Sequence, residues 1–318
     1  MIMNNQNTFY IHTDTSGYNT EGIGAVAQDQ LGCYFFAKNF NCKFFFKGFE
    51  KIHHYQYFDV TQEQFCKDFD LLFNNFNSEK LDISTCKEFS YETVDENFFN
   101  FIKTKSSLNK NYLIRLKTGI VFKFMEQNLN LAEQNNVFED LKSNLWIPQE
   151  KKYFDPKKIN ISFHIRKYTQ TDCDPAAYRE CFTNKKEYYY INLINNIVDS
   201  LKEENLEKEF HIFSQGEEKD FDFLKSIVFP EDCKLILHIE EYPSISLYHM
   251  INSDILIMAN SSFSFISHVL GNQVSLVRNN FYYKTYDSKK NLVDSHGNFN
   301  KKHLNFTMKK WLTENKKI

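Results

Sequence analysis

The sequence has no excess of positive charge, no paired cysteine motif and no long apolar run, and each absence removes a class of function. A formal charge of -3 with 25% charged residues leaves nothing to hold a nucleic-acid backbone, so no nucleic-acid partner is expected. The 7 cysteines are odd in number and form neither a CxxC pair nor a Cys/His spacing suited to zinc, which points to reduced thiols in a cytosol-like compartment. The opening MIMNNQNTFYIHT lacks a basic segment followed by an apolar stretch, and no window approaches the ~18 apolar residues of a membrane span; a soluble, cytoplasmic protein is expected. No GxSxG is present for a serine hydrolase, and Asp14-Thr-Ser-Gly17 misses the aspartic-protease pattern by one inserted residue and has no second copy. Glycine (9) and proline (5) are scarce while phenylalanine (33) and tyrosine (18) are plentiful, a skew that fits an AT-rich genome and carries no functional message. The sequons at Asn160, Asn260 and Asn305 are read as coincidence, since the first two fall on or beside expected buried strands.

What is present is an alternation of strand and helix patterns. TFYIHT (8 to 13) reads as a strand, followed by a glycine turn and a helix over about 24 to 38 with Ile23, Val26, Ala27, Leu31, Tyr34 and Phe35 on one face. CKFFFKGF (42 to 49) reads as a second buried strand, and Thr61 with Gln64 as a capping box before a helix carrying Phe65, Phe69, Leu72 and Phe73. Residues 76 to 120 give no clear pattern, and 121 to 145 read as mainly helical. The second half is cleaner: strands INISFHIR, FHIFS, KLILHIE, DILIMAN and VSLVR take turns with helices, which implies a parallel sheet with right-handed crossovers. With 318 residues, about two α/β domains are expected, 1–155 and 156–318, separated near KKYFDPKK. The closing helix, with Leu304, Met308, Trp311 and Leu312 on one face, suits either domain.

Three of these strands end in polar residues where a helix should begin: ISFHIRKYTQTD (161 to 172), HIFSQGEEKDF (211 to 221) and DILIMANSSFSFISHVLG (254 to 271). Their tips deliver Arg166, Ser214 and Ser261/Ser262 toward one crevice, a site suited to a phosphorylated ligand. His164 and Arg166 are two apart on a strand and share a face, roughly 6.5 to 7 Å apart. A guanidinium near the end of a central strand needs several acceptors, which a diphosphate supplies; an internal salt bridge to Asp172, Asp174 or Glu180 is the competing reading. Asn260-Ser-Ser262 places amide and hydroxyl groups at a helix start, where N–H groups and the dipole favour phosphate, although a plain N-cap explains the serines as well. Ser214, Gln215 and Gly216 are a second such tip or a tight turn, and Gly22-Ile-Gly24 half a phosphate-binding turn or simply a turn. Of the Asp-x-Asp triplets, Asp68/Asp70 and Asp220/Asp222 suit solvated faces, whereas Asp172/Asp174 stay open as metal ligands or catalytic carboxylates.

In this order HIR (164 to 166), FHIFSQG (210 to 216) and DILIMANSSFSFISHVLG (254 to 271) resemble the GDP-fucose-binding half of the inverting fucosyltransferase superfamily, nearest to the α1,2-fucosyltransferases and related to the α1,6- and protein O-fucosyltransferases. GIGAVAQDQLGCYFFAKNFNCKFFF (22 to 46) is similar to the first glycine turn and helix of those families, down to the L-G-x-x-x-F-A-K of Leu31 to Lys38. The resemblance implies a GT-B fold, two Rossmann-like domains facing across a cleft, the first on the acceptor side and the second binding the donor. It implies transfer of fucose from GDP-fucose to a glycan hydroxyl with inversion, without a cofactor or an obligatory metal. Arg166 then matches the arginine that neutralises the donor diphosphate, His164 the histidine that orients the donor, and Ser261, Ser262 and Phe263 the segment that touches the phosphates. Asp254 matches the acidic residue placed near guanine or ribose, and Gly22, Gly24, Ser214, Gln215, Gly216 and Asn260 complete the expected donor contacts. Asp172 or Asp174 is the candidate to deprotonate the acceptor. Two positions depart from the family: Ala25 stands where an asparagine is frequent, and Lys167-Tyr-Thr-Gln-Thr-Asp172 follows HIR where the α1,2 pattern has R-G-D. Another nucleotide sugar as donor, or a binding protein without turnover, remains open on these grounds.

Overall fold

The computed structural model describes residues 8–13, 22–74, 81–105, 110–134, 137, 153–166, 185–281 and 290–315. The chain divides into two compact units, Met1–Trp146 and Ile147–Ile318, each a parallel sheet with helices packed on it. Each sheet is of the Rossmann-like α/β kind expected for the GT-B class.

In the first unit β1 (Thr8–Thr13), β2 (Lys43–Phe44), β3 (Lys87–Tyr91) and β4 (Asn111–Leu116) pair in the order β2-β1-β4-β3, all parallel. The strand expected over 42 to 49 shrinks to two residues. Gly48 takes φ 98, and Phe49 N–H donates to Asp70 Oδ1 at 2.6 Å, so the chain leaves the sheet and turns Phe46 and Phe49 inward. Helix α1 (Ile23–Asn39) was expected to bury one stripe but is buried on nearly every side, Gln28, Asp29 and Gln30 included. The reason is α4 (Ile120–Gln127), which crosses it so closely that a Cβ on Gly32 would lie 2.7 Å from Phe122 N. Asp29 caps α4 from α1, both carboxylate oxygens accepting from Gly119 N–H at 2.8 and 2.9 Å. Burial pushes that carboxyl up to about 7. At α2 (Gln62–Asn74) half of the expected capping box forms: Thr61 Oγ1 accepts from Gln64 N–H, while the Gln64 amide turns to Asp68. Helices α3 (Glu96–Lys105) and α5 (Leu129–Gln134) and two 3₁₀ turns (Tyr55–Tyr57 and Ile83–Thr85) are the other described elements of this unit, in which Phe36, Phe40, Phe98, Phe99 and Phe124 pack ring against ring. Much of the chain's phenylalanine is therefore spent on packing.

In the second unit six parallel strands are ordered β10-β9-β8-β5-β6-β7. They are β5 (Ile159–Ile165), β6 (Lys208–Ser214), β7 (Cys233–Ile239), β8 (Ile255–Ile257), β9 (Val274–Arg278) and β10 (Lys290–Val293). Helices α6 (Lys185–Ser200), α7 (Pro243–Asn252), α8 (Ser262–Leu270) and α9 (Lys301–Glu314) alternate with them, and a 3₁₀ stretch (Glu218–Ser226) bridges β6 and β7. The DILIMAN run pairs over only Ile255–Ile257, and β10, which no sequence pattern announced, adds an edge.

The two faces of this sheet differ. On one, Ile159, Ile161, Phe163 and Ile165 of β5 join Phe210 and Ile212 of β6 under α6 and α9 in an apolar core. On the other, where α7 and α8 pack, Ser162 Oγ donates to His249 O, His164 meets Ser264 and His268 meets Ser275. The alternation of a strand's side chains sends its odd residues to one environment and its even residues to the other. The closing helix α9 packs on this same unit: Leu304, Met308 and Leu312 enter the apolar core and Trp311 Nε1–H donates to Asn272 O at 2.9 Å.

Candidate functional site

Numbered within the second unit, the strand order is 6-5-4-1-2-3. The chain therefore goes one way from its first strand and the opposite way from its fourth, a switch-point topology at whose carboxyl ends α/β sheets usually hold their ligands. The first and fourth strands are β5 and β8, direct neighbours in register from Ile161↔Ile255 to Phe163↔Ile257. β5 ends in His164 and Ile165, with Arg166 the next residue; β8 leads into Asn260, Ser261 and the first turn of α8. Two sequence segments nearly a hundred residues apart thus meet at the one place in the sheet where ligands are usually held.

The contact is direct. His164 Nδ1 lies 2.6 Å from Ser264 Oγ, and the Phe263 ring stands edge-on to the imidazole at 5.7 Å. Ser264 Oγ also accepts from Ala259 N–H at 3.2 Å, tying the segment just past the end of β8 to α8. Burial, with the Arg166 charge adding to it, pushes His164 down to about 3. Arg166 is half-buried, and its Nη1–H donates to Gln215 Oε1 at 3.3 Å, which joins the ends of β5 and β6. Asp172, Asp174 and Glu180, its competing salt-bridge partners, lie outside the described residues, as do the catalytic roles expected of Asp172 and Asp174.

The remaining expected residues divide by what their polar atoms do. Ser261 is the N-cap of α8: in extended backbone, its Oγ accepts from Phe263 N–H at 3.2 Å. With Asn260 and Ser262 beside it, it sets the positive end of the helix dipole over the β5 tip. Ser214 stands at the expected strand end, but its hydroxyl donates to Ile165 O at 2.6 Å and so clamps β6 to β5. Gly216 takes φ 108 and its N–H donates to Glu240 Oε1 at 2.6 Å, a turn held by the next strand's tip. Asp254 requires a correction. It precedes β8 at the sheet's amino end, is 1% exposed, and accepts from Asn160 N–H at 2.6 Å, so it pins the starts of two strands at the end opposite the serine-tipped helix. Gly22 is the N-cap of α1 in the first unit, where a Cβ would come 3.0 Å from His54 Nδ1, and Gly24 is buried in that helix's first turn. The turn that precedes them lies outside the described residues.

Sequence reasoning missed a second polar group on the same face. Tyr153 N–H donates to His249 Nε2 at 3.0 Å, its hydroxyl donates to Glu241, and its ring stacks on His238 at 4.3 Å and His249 at 4.6 Å. His211 Nδ1 is 3.0 Å from His238 Nε2, and Phe154 meets His211 edge-on. Burial, with His238 and His249 adding, pushes His211 down to about 3, and burial also lowers His249. No local spacing links Tyr153 to residues 85 or more positions later; the only available signal was a run of histidines at positions that alternate away from the apolar face. Among the described residues no cluster of His, Cys, Asp and Glu is arranged to hold a metal ion, and no helix is long and apolar enough to cross a membrane.

No protein-family model matches the sequence, and no curated protein does. Among solved structures, a crystal structure of POFUT1 in complex with GDP-fucose matches at 12% identity and a TM-score of 0.38, covering 85% of this chain and 96% of that one. A second, of POFUT1 in complex with GDP, matches at 12% identity and a TM-score of 0.38 over 86% of this chain and 98% of that one. What the site can do is read from its own geometry.

Proposed function

We propose that this protein is a sugar transferase that takes GDP-fucose as donor, binds the diphosphate at the β5/β8 switch point and passes the sugar with inversion to a hydroxyl of a glycan acceptor, with no metal required. One observation carries the reading: Arg166 and the serine-capped start of α8 end adjacent parallel strands, the first and fourth of a 6-5-4-1-2-3 sheet. An anion at that point meets a guanidinium from one side and a helix amino end from the other. The resemblance of the HIR, FHIFSQG and ANSSFSF segments to the inverting fucosyltransferases selects the donor.

In the reaction the acceptor oxygen attacks the sugar's anomeric carbon, the bond from that carbon to the β-phosphate oxygen breaks, and GDP leaves with the bonding electrons. Negative charge grows on the β-phosphate as that bond stretches. Arg166 and the α8 dipole, fixed in place by Gln215, Ser261 and Ser264, stabilise that charge without having to reorganise, so they act more on the transition state than on the bound donor. The acceptor's proton passes to a carboxylate, for which Asp172 and Asp174 are the candidates by sequence. A binding protein that has kept the site and lost turnover is the second reading, and Ala25 in place of the family's frequent asparagine favours it.

Thermal denaturation with GDP, GDP-fucose, UDP and UDP-sugars tests the donor. GDP and GDP-fucose should raise the melting temperature, a ligand at 100 times its Kd adding about 2.7 kcal/mol, and the UDP series should not. Equal stabilisation by UDP-sugars overturns the donor assignment. Binding of GDP-fucose without transfer or hydrolysis establishes the second reading instead.

A further inference from the structure

We infer that Ser264 is a positioning residue that holds His164 as the tautomer with its proton on Nε2, so that the imidazole donates a hydrogen bond to a donor-phosphate oxygen; this rests on the nucleotide-sugar reading above. The argument is one of proton counting. Ser264 Oγ is fully buried and has two neighbours, Ala259 N–H at 3.2 Å and His164 Nδ1 at 2.6 Å. The amide can only donate, so it occupies a lone pair of the oxygen. The hydroxyl proton then has one acceptor within reach, and that is Nδ1. A proton on Nδ1 would leave the buried O–H with nothing to bond, at a cost that buried donors rarely bear. Nδ1 is therefore an acceptor, and the neutral ring carries its proton on Nε2.

His164 is 7% exposed, and with Nδ1 engaged by Ser264 its Nε2 is the ring nitrogen left to meet a ligand. It belongs to the residue two before Arg166 on the same face of β5, at the switch point. A neutral donor there binds an anionic oxygen without adding a second full charge beside the guanidinium. A serine at this position thus supports phosphate recognition through the histidine, with no contact of its own to the ligand.

Long-range ¹H–¹⁵N correlation spectra of ¹⁵N-histidine-labelled protein read the tautomer directly, with His164→Gln identifying the signal. In the ligand-free wild type the spectra should show a protonated Nε2 and an unprotonated Nδ1 from pH 8 to pH 5, and GDP should shift Nε2 most. Ser264→Ala should lose the fixed tautomer and weaken GDP binding about tenfold, the size of one lost hydrogen bond to a charged group, while Ser264→Thr, which keeps the hydroxyl, should restore both. A proton on Nδ1 in the wild type, or a Ser264→Ala protein that matches wild type in tautomer and GDP affinity, overturns the inference. A wild type with the stated tautomer that binds no GDP overturns the nucleotide-sugar reading and, with it, the phosphate as partner of Nε2, while leaving the serine's hold on the ring established.

Discussion

The two faces of the six-stranded sheet are built from the same strands and do opposite work. On β5 the residues Ile159, Ile161, Phe163 and Ile165 point into an apolar core, while Ser162 and His164 alternate with them toward His249 of α7 and Ser264 of α8, and Arg166 beyond them bonds Gln215. The apolar face holds the unit together by burial, which is non-directional and tolerant of small shifts. The polar face is held by hydrogen bonds whose donors and acceptors must match one by one, and burial keeps its imidazoles neutral. Stability and recognition are separated by one residue of register, and mutations on the two faces should therefore fail in different ways.

The largest expected effect is on the apolar face. Phe163→Ala removes a ring that is 1% exposed and packs edge-on against Tyr190 at 5.4 Å. Chemical denaturation should show a loss of about 3 to 5 kcal/mol, with GDP affinity of the folded protein nearly unchanged. Arg166→Ala tests the other face. Transfer should fall by about 10² to 10³, equivalent to ~2.7 to 4 kcal/mol, with a melting temperature close to wild type. If the arginine variant loses mainly stability, or the phenylalanine variant mainly binding, the division of labour is wrong.

The imidazole face also sets an acid limit. His164 and His211 sit at about 3 in the folded state, below the ordinary 6.5. Between those values the unfolded chain takes up protons that the folded chain refuses, so stability falls as pH drops below about 6.5. The slope is roughly 1.4 kcal/mol per pH unit for each group. Asp29, capping a helix in the first unit, behaves in the reverse sense: its carboxyl is raised from 3.8 to about 7, so stability falls as pH rises between those values and levels off above 7, which offsets part of the histidine effect in the same window. Denaturation midpoints from pH 7 down to pH 4.5 should show the fall, and His211→Gln should make it shallower. A flat profile contradicts the neutral, buried assignment.

The smallest effect expected is that of the α8 cap. Ser261→Ala removes the Oγ that accepts from Phe263 N–H and should cost about 1 kcal/mol in denaturation experiments, with a modest loss of GDP affinity as the first turn loosens. An unchanged midpoint would mean that the α8 start is held by its packing on His164 alone.

The sheet of the second unit was legible because buried parallel strands are near-continuous apolar runs, and β5, β6, β7 and β9 fall close to where those runs lie. Edge elements were not: β10 has four residues, one of them the exposed Leu292, and β3 (KEFSY) is largely exposed, so neither carries the signal of burial. At the site, the placement of the β5 tip beside the serine-tipped helix, seen in the His164–Ser264 contact, could be anticipated, since strand tips in an alternating pattern share one end of a sheet. Asp254 was misplaced because proximity in sequence to Ser261 hides that a whole strand separates them. Ser214 was expected to face a ligand, yet its hydroxyl is taken by Ile165 O, a choice set by the neighbouring strand and invisible along the chain. Ser264 looked like any helix serine until β5 put an imidazole against it.

A crystal structure of the protein soaked with GDP measures the central claim most directly. The β-phosphate should lie between the Arg166 guanidinium and the first turn of α8, with His164 Nε2 donating to one of its oxygens. GDP bound anywhere else, or an Arg166 side chain turned away from the phosphates toward a carboxylate of its own chain, would contradict it.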